Sequence, residues 1–220
     1  MASVSRNPNL LHAHSNLALS YLDQWDSQQS PATQTLEPAV AAAQRGLALD
    51  DSFSWSHMSL GIIYRSQQQY GQALTEIERA VALAPTLAEN YAARAVVLSC
   101  MGRTEDALEA AAQALRLKPY IADGHLGWVG TAYAIARRYE EARAPLQRYL
   151  SRYPNILPYH LVLAAVYSEL GQVAEARAEV AEVLRLNPNF SLEIHKQRAS
   201  IKNPAVLERH IAALRKAGLK

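Results

Sequence analysis

The sequence predicts an all-α protein, a solenoid of antiparallel helix pairs closed by capping helices at its C-terminal end. Three observations carry that prediction. The segments RAVALAP, AQALRLKP, QRYLSRYP and AEVLRLNP end alike at Pro85, Pro119, Pro154 and Pro188, and those prolines are 34, 35 and 34 residues apart. An alanine stands twelve residues before each one, at Ala73, Ala107, Ala142 and Ala176. Twenty-one residues before stand Tyr64, Tyr133 and Tyr167, with Leu98 taking the tyrosine's place in the second unit. Self-similarity at such a period marks a repeat array, and apolar residues at helical spacing within each unit identify its elements as helices.

Each unit reads as two helices. SWSHMSLGIIYRSQ gives a first helix and YGQALTEIERAVALA a second, after a break between them. Gly61 and Gly130 fall where the two helices cross, and Ala95 and Ala164 fill that place in the other units. Small residues there let the axes approach toward about 8 Å. Gly102 and Gly171 lie at the inter-helix turn, where glycine adopts a left-handed conformation at least cost. The recurrent proline stops the second helix. Glu105-Asp106 and Glu140-Glu141 open second helices, where negative charge complements the helix dipole. Pro145 is expected to bend its helix or shift its start. Upstream, Leu17-Ala18, Tyr21 and Ala39 mark a divergent first unit over 8–53, with Asp51 where proline is expected and an inserted polar surface loop over 23–37. Downstream the period stops, and 190–200 and 204–217 read as two capping helices. The second carries Val206, Ile211 and Leu214 on one face, with Gly218 just past its end.

The pattern Leu60-Gly61, Tyr64, Ala73, Ala80 and Pro85 resembles the tetratricopeptide repeat (TPR). Four units match, over 54–87, 88–122, 123–156 and 157–190, so the resemblance implies a single right-handed superhelical TPR domain over 1–220. The ending LERHIAALRKAGLK, preceded by NP, is also similar to the close of TPR regions in bacterial class III adenylate/guanylate cyclases and transcriptional regulators. That second likeness implies a regulatory or oligomerisation region of a signalling protein as the alternative reading.

By the same resemblance, the concave wall comes from the second, fifth, ninth and twelfth positions of each unit. Here these are Trp55, Met58, Ile62 and Arg65, then Glu89, Ala92, Val96 and Ser99, then Gly124, Gly127, Thr131 and Ala134, then Pro158, Leu161, Ala165 and Ser168. The peptide-binding groove expected from them consists of Trp55, Met58, Ile62, Arg65, Val96, Ser99, Thr131, Leu161 and Ser168. A Lys/Asn carboxylate clamp, known from chaperone-binding relatives, needs charged or amide donors, and Arg65 alone fits. An apolar helix or extended segment suits the wall better. The competing occupants are the chain's own tail and a second copy of the chain, which would make a homo-oligomer. The tail, 189–220, holds seven Lys and Arg against two Glu, for a net +5 beside a body of −3. It reads as a solvated helix end, or as a dock for an acidic surface.

The chain contains 50% hydrophobic and 19% charged residues, which excludes wholesale disorder. One cysteine, Cys100, excludes an internal disulfide framework and reads as a packed thiol. No apolar run approaches a membrane span, and the N-terminus lacks a secretory pattern, so a soluble cytoplasmic protein is the simplest expectation. His12 and His14 point about 200° apart on a helix. His14, His57 and His160 share the fourth repeat position, a repeat or more apart, so half-buried packing is expected and no metal. There is no nucleophile elbow, phosphate loop or zinc helix. A net charge of +2 and an apolar wall argue against nucleic acid. The reading is a non-enzymatic protein–protein interaction scaffold that needs no cofactor and takes a protein or peptide partner.

Overall fold

The computed structural model describes residues 8–29, 32–117 and 125–220, which are helices and short connections with no strand among them. Five helix pairs follow one another: α1 (Pro8–Asp26) with α2 (Ala32–Leu49), α3 (Ser54–Ser66) with α4 (Tyr70–Leu83), α5 (Ala88–Cys100) with α6 (Thr104–Leu117), α7 (Leu126–Ile135) with α8 (Tyr139–Arg152), and α9 (Leu157–Glu169) with α10 (Val173–Leu186). A short α11 (Leu192–Arg198) and a terminal α12 (Pro204–Ala217) complete the chain. Each first helix packs on its own second helix and on the first helix of the next pair. Among the described residues no helix is long and apolar enough to cross a membrane.

The crossing within each pair is as close as the small residues permit. A Cβ on Gly61 would meet Ile77 Cδ1 at 2.8 Å and the Ala73 carbonyl at 3.0 Å; on Gly130 it would meet Leu146 Cγ at 2.5 Å and the Ala142 carbonyl at 3.2 Å. Ala73, Ala107, Ala142 and Ala176 are all buried. The core runs as one seam through α1 to α7 and a second through α7 to α12, with Tyr133 and Tyr159 packed against both. Asn90 ties successive pairs, its amide donating to the Ala80 carbonyl at 2.8 Å and to that of Ala84 at 3.3 Å, so the end of α4 is capped from α5.

The inter-helix turns share one backbone geometry. Gly102 and Gly171 have φ of +84° and +76°, as expected for their positions. Gln68 and Arg137 occupy the same turn position with φ of +61° and +64°, where a side chain brings steric strain. Pro145 leaves its helix in register: α8 begins as far before Pro154 as α4 does before Pro85 and α10 before Pro188. Its missing N–H frees the Glu141 carbonyl on an exposed flank, where water can satisfy it. The extra residues of the first unit lengthen its helices more than its loop, since α1 continues through Asp26 and α2 starts at Ala32. Leu22 and Trp25 on α1 and Ala39 on α2 are buried, which is why the polar stretch around them stays helical. Pro119 lies outside the described residues.

The fourth-position histidines do more than fill space. The His57 ring contacts Glu76 Oε2 at 2.6 Å through Nδ1 and the Asp51 carbonyl at 2.8 Å through Nε2. His160 repeats this with Glu179 at 2.6 Å and the Pro154 carbonyl at 2.9 Å. Each ring thus ties a first helix to its second helix and to the preceding turn. At His160, satisfying both acceptors requires both ring N–H groups, hence the imidazolium. For His160, burial pushes the pKa down, but the hydrogen bonds to Glu179 and Pro154 outweigh it, and the net shift is upward from 6.5.

At the C-terminus α12 starts with Asn203 accepting from Ala205 N at 3.0 Å and ends at Gly218 with φ +114°. Its buried Ile211 and Leu214 face α9 and α10, so the helix caps the last repeat.

Three predictions come from this packing. Gly130→Val should lower stability by about 1–3 kcal/mol, and Arg137→Gly should raise it by about 1 kcal/mol, both read from urea denaturation. The raised His160 pKa stabilises the fold fully below the ordinary value of 6.5, and that contribution is lost as pH rises through the folded value above it. The difference in melting temperature between wild type and His160→Gln should therefore be largest at mildly acidic pH and shrink at alkaline pH; a constant difference would overturn this.

Candidate functional site

The first helices form the inner wall, which together with the C-terminal segment bounds a partly open cavity of about 230 Å³. Of the residues expected to form the groove, Ile62, Arg65, Thr131 and Leu161 line this cavity together, joined by the neighbouring wall positions Ala134, Pro158 and Ala165. Met58, Val96, Ser99 and Ser168 are buried outside it. Trp55 is half-buried, its ring centre 5.2 Å from that of His12 and 5.3 Å from that of His125. Gly127 lies against the Tyr159 ring, leaving no room for a Cβ, and Gly124 lies outside the described residues.

The closing element is the segment from Ser191 to Lys202, comprising α11 and the extended residues after it. The Ser191 carbonyl accepts from Gln28 Nε2 at 2.8 Å, and its N–H donates to Gln28 Oε1 at 2.9 Å. Asn187 donates to the Ser27 carbonyl at 2.9 Å just before it. Further along, the Ala199 carbonyl accepts from Gln68 at 3.3 Å, the Ser200 carbonyl from Tyr70 Oη at 3.1 Å, and Lys202 N–H donates to the Cys100 carbonyl at 2.9 Å. Arg198 stacks 4.2 Å from the centre of the Trp25 ring and donates to the Trp25 carbonyl at 2.6 Å, at the end of α1. The strap therefore spans from the first repeat to the third across the inner face, with Arg198 docked on the first repeat and Lys196 paired with Glu208 of α12.

Titratable groups converge on this cavity. Burial lifts the Asp23 carboxyl to about 7, with Asp26 adding repulsion and Arg65 opposing it. Asp26 is lifted to about 6 by burial, against the pull of Arg65 and Arg198. His195 and His210 meet Nε2 to Nε2 at 3.1 Å, one neutral ring donating to the other. Burial and the neighbouring His210 push His195 down to about 3, and burial pushes His210 down to about 4. Burial raises the Cys100 thiol, which keeps it protonated and a poor nucleophile. Among the described residues no three His, Cys, Asp or Glu side chains converge as metal ligands do.

Apart from Arg65, sequence reasoning missed the cavity's charged members. Asp23 and Asp26 fall in the stretch read as an inserted loop, yet with Leu19 and Leu22 they form one continuous helical face. That three- and four-residue spacing was the available signal. His195 and His210 sit on separate capping helices, and no spacing rule brings them together.

With this geometry in place, likeness to known proteins is informative. A family model for the tetratricopeptide repeat matches residues 56–87 and 157–190. No curated protein matches the chain in sequence. Among solved structures, the chain is similar to PilF of Pseudomonas aeruginosa, with 16% identity and a TM-score of 0.54 over 92% of this chain and 89% of that one. It is similar to PilW, a type IV pilus biogenesis factor, with 18% identity and a TM-score of 0.56 over 93% and 92%. A thermophilic TPR protein of Thermus thermophilus aligns with 20% identity and a TM-score of 0.59 over 87% and 98%. Identities this low speak for the fold alone. Residues 56–87 and 157–190 are tetratricopeptide repeats, and the chain as a whole folds as a solenoid of that kind.

Proposed function

We propose that the chain is a non-catalytic protein–protein interaction scaffold whose concave groove takes a peptide or short helix. One observation supports this above the others: a segment of the chain itself lies across the inner face and is gripped mainly by its main chain. Main-chain recognition tolerates varied side chains, as peptide-binding grooves do, while a single anchor sets the register. Arg198 is that anchor, stacked on Trp25 at the carboxyl end of α1. The favoured partner is then a short segment with an arginine at the corresponding place. In this reading the strap is the resident occupant, and a partner competes with it for Gln28, Trp25 and the Cys100 carbonyl.

Ile62 and Val96 are too deeply buried to serve as probes, since a charge at either would unfold the seam. Loosening the strap is the better test. Arg198→Ala removes the anchor from the resident strap and leaves Gln28 and Trp25 in place to hold a partner. A fluorescent peptide of residues 190–203 should then bind this variant about tenfold or more tighter than wild type by anisotropy, with helical content unchanged. Equal or absent binding to both proteins would sink the reading.

A further inference from the structure

We propose that this partly open cavity is a binding site for a small organic ammonium ion with a compact apolar or aromatic body. This inference concerns the cavity behind the strap and does not depend on a protein partner occupying the groove.

The recognition element is the pair Asp23 and Asp26, three residues apart on one face of α1 and both open to the cavity. Among the described residues neither carboxyl group makes a hydrogen bond or an ion pair. A carboxylate withdrawn from bulk water with no partner is costly, and a chain can settle it by holding the proton or by taking in a cation. The upward shifts at both residues are what unpartnered carboxyls in this setting display. Of the cations of the wall, Arg198 is held by the Trp25 ring and carbonyl, and Arg65 donates through one amino group to the Ser66 hydroxyl at 3.1 Å while its Nε stays without a partner. Arg65 and Arg198 temper the two carboxyls from a distance without pairing with either, so burial prevails.

The other walls suit an organic cation. Trp128, Tyr149 and Tyr159 line the same space and offer aromatic surface to an ammonium group and to the carbon skeleton behind it. Tyr159 is held by its contact with Gly127 and by the Tyr149 ring 4.4 Å away, so this surface is pre-set. A divalent metal would want a third ligand, and none converges with the two aspartates among the described residues. By comparison with cavities of about 150 Å³ that accept a benzene-sized guest, about 230 Å³ admits a molecule on the order of ten heavy atoms. Phenethylamine has that size and chemistry and is the probe of choice.

The experiment is calorimetric titration of the full chain with phenethylamine, phenethyl alcohol and phenylacetate, together with thermal melts. The amine should bind and raise the melting temperature, and the neutral alcohol of the same shape should bind about tenfold or more weakly. Asp23→Asn with Asp26→Asn keeps the shape and removes the charge. It should weaken the amine by a similar factor while the free protein melts at the same temperature or higher, because a buried charge has been relieved. Failure of the amine to bind, equal affinity for amine and alcohol, preference for phenylacetate, or undiminished amine affinity in the double variant would each overturn the proposal.

Discussion

The closeness with which the two helices of each repeat cross is the constraint on which the other features depend. Gly61 against the Ala73 carbonyl and Gly130 against that of Ala142 leave no space for another carbon. That contact fixes the depth of each pair and therefore the step from one repeat to the next. The seam it creates buries the wall residues Met58 and Val96 outright, so much of the apolar content that a sequence reader would assign to an open groove serves packing. What remains for the inner face is a narrower set, Ile62, Arg65, Thr131 and Leu161.

On this rigid frame the polar tethers are economical. Asn90 closes the end of one helix from the start of another, and His57 and His160 each join three segments with one ring. Such groups act across the repeat boundary, where apolar packing alone leaves the angle between neighbours soft. The inner face gathers groups of a different kind, carboxyls without partners and two mutually bonded imidazoles. Polar groups held at a cost on one face are a mark of a place shaped for something other than stability.

The repeat was legible because its signals are local. The prolines, the alanines and the small residue at the crossing recur at fixed spacing, and helix pairing follows from short connections. The turn glycines were legible for the same reason, though Gln68 and Arg137 adopt the same left-handed geometry without the residue that announces it. The cavity was not legible, because it depends on contacts between residues far apart in the chain. Arg198 meeting Trp25, and His195 meeting His210, arise from the path of the strap, which no periodicity encodes. Asp23 and Asp26 were hidden by composition: a polar run reads as a loop until the apolar Leu22 and Trp25 within it are given weight as a buried helical face.

Stacked repeats ordinarily behave as one-dimensional arrays in which each unit feels only its neighbours, and such arrays can fray from an end or fold from any point. Here Gln28 and Ser191, 163 positions apart, exchange two hydrogen bonds. This joins the first repeat to the last and converts a linear array into a ring. In a ring no repeat is terminal, so loss of structure at one end must break the closure as well as an interface. Unfolding then becomes a property of the whole chain. The closing contacts span most of the chain, so they carry a larger loop entropy than any contact between neighbouring repeats.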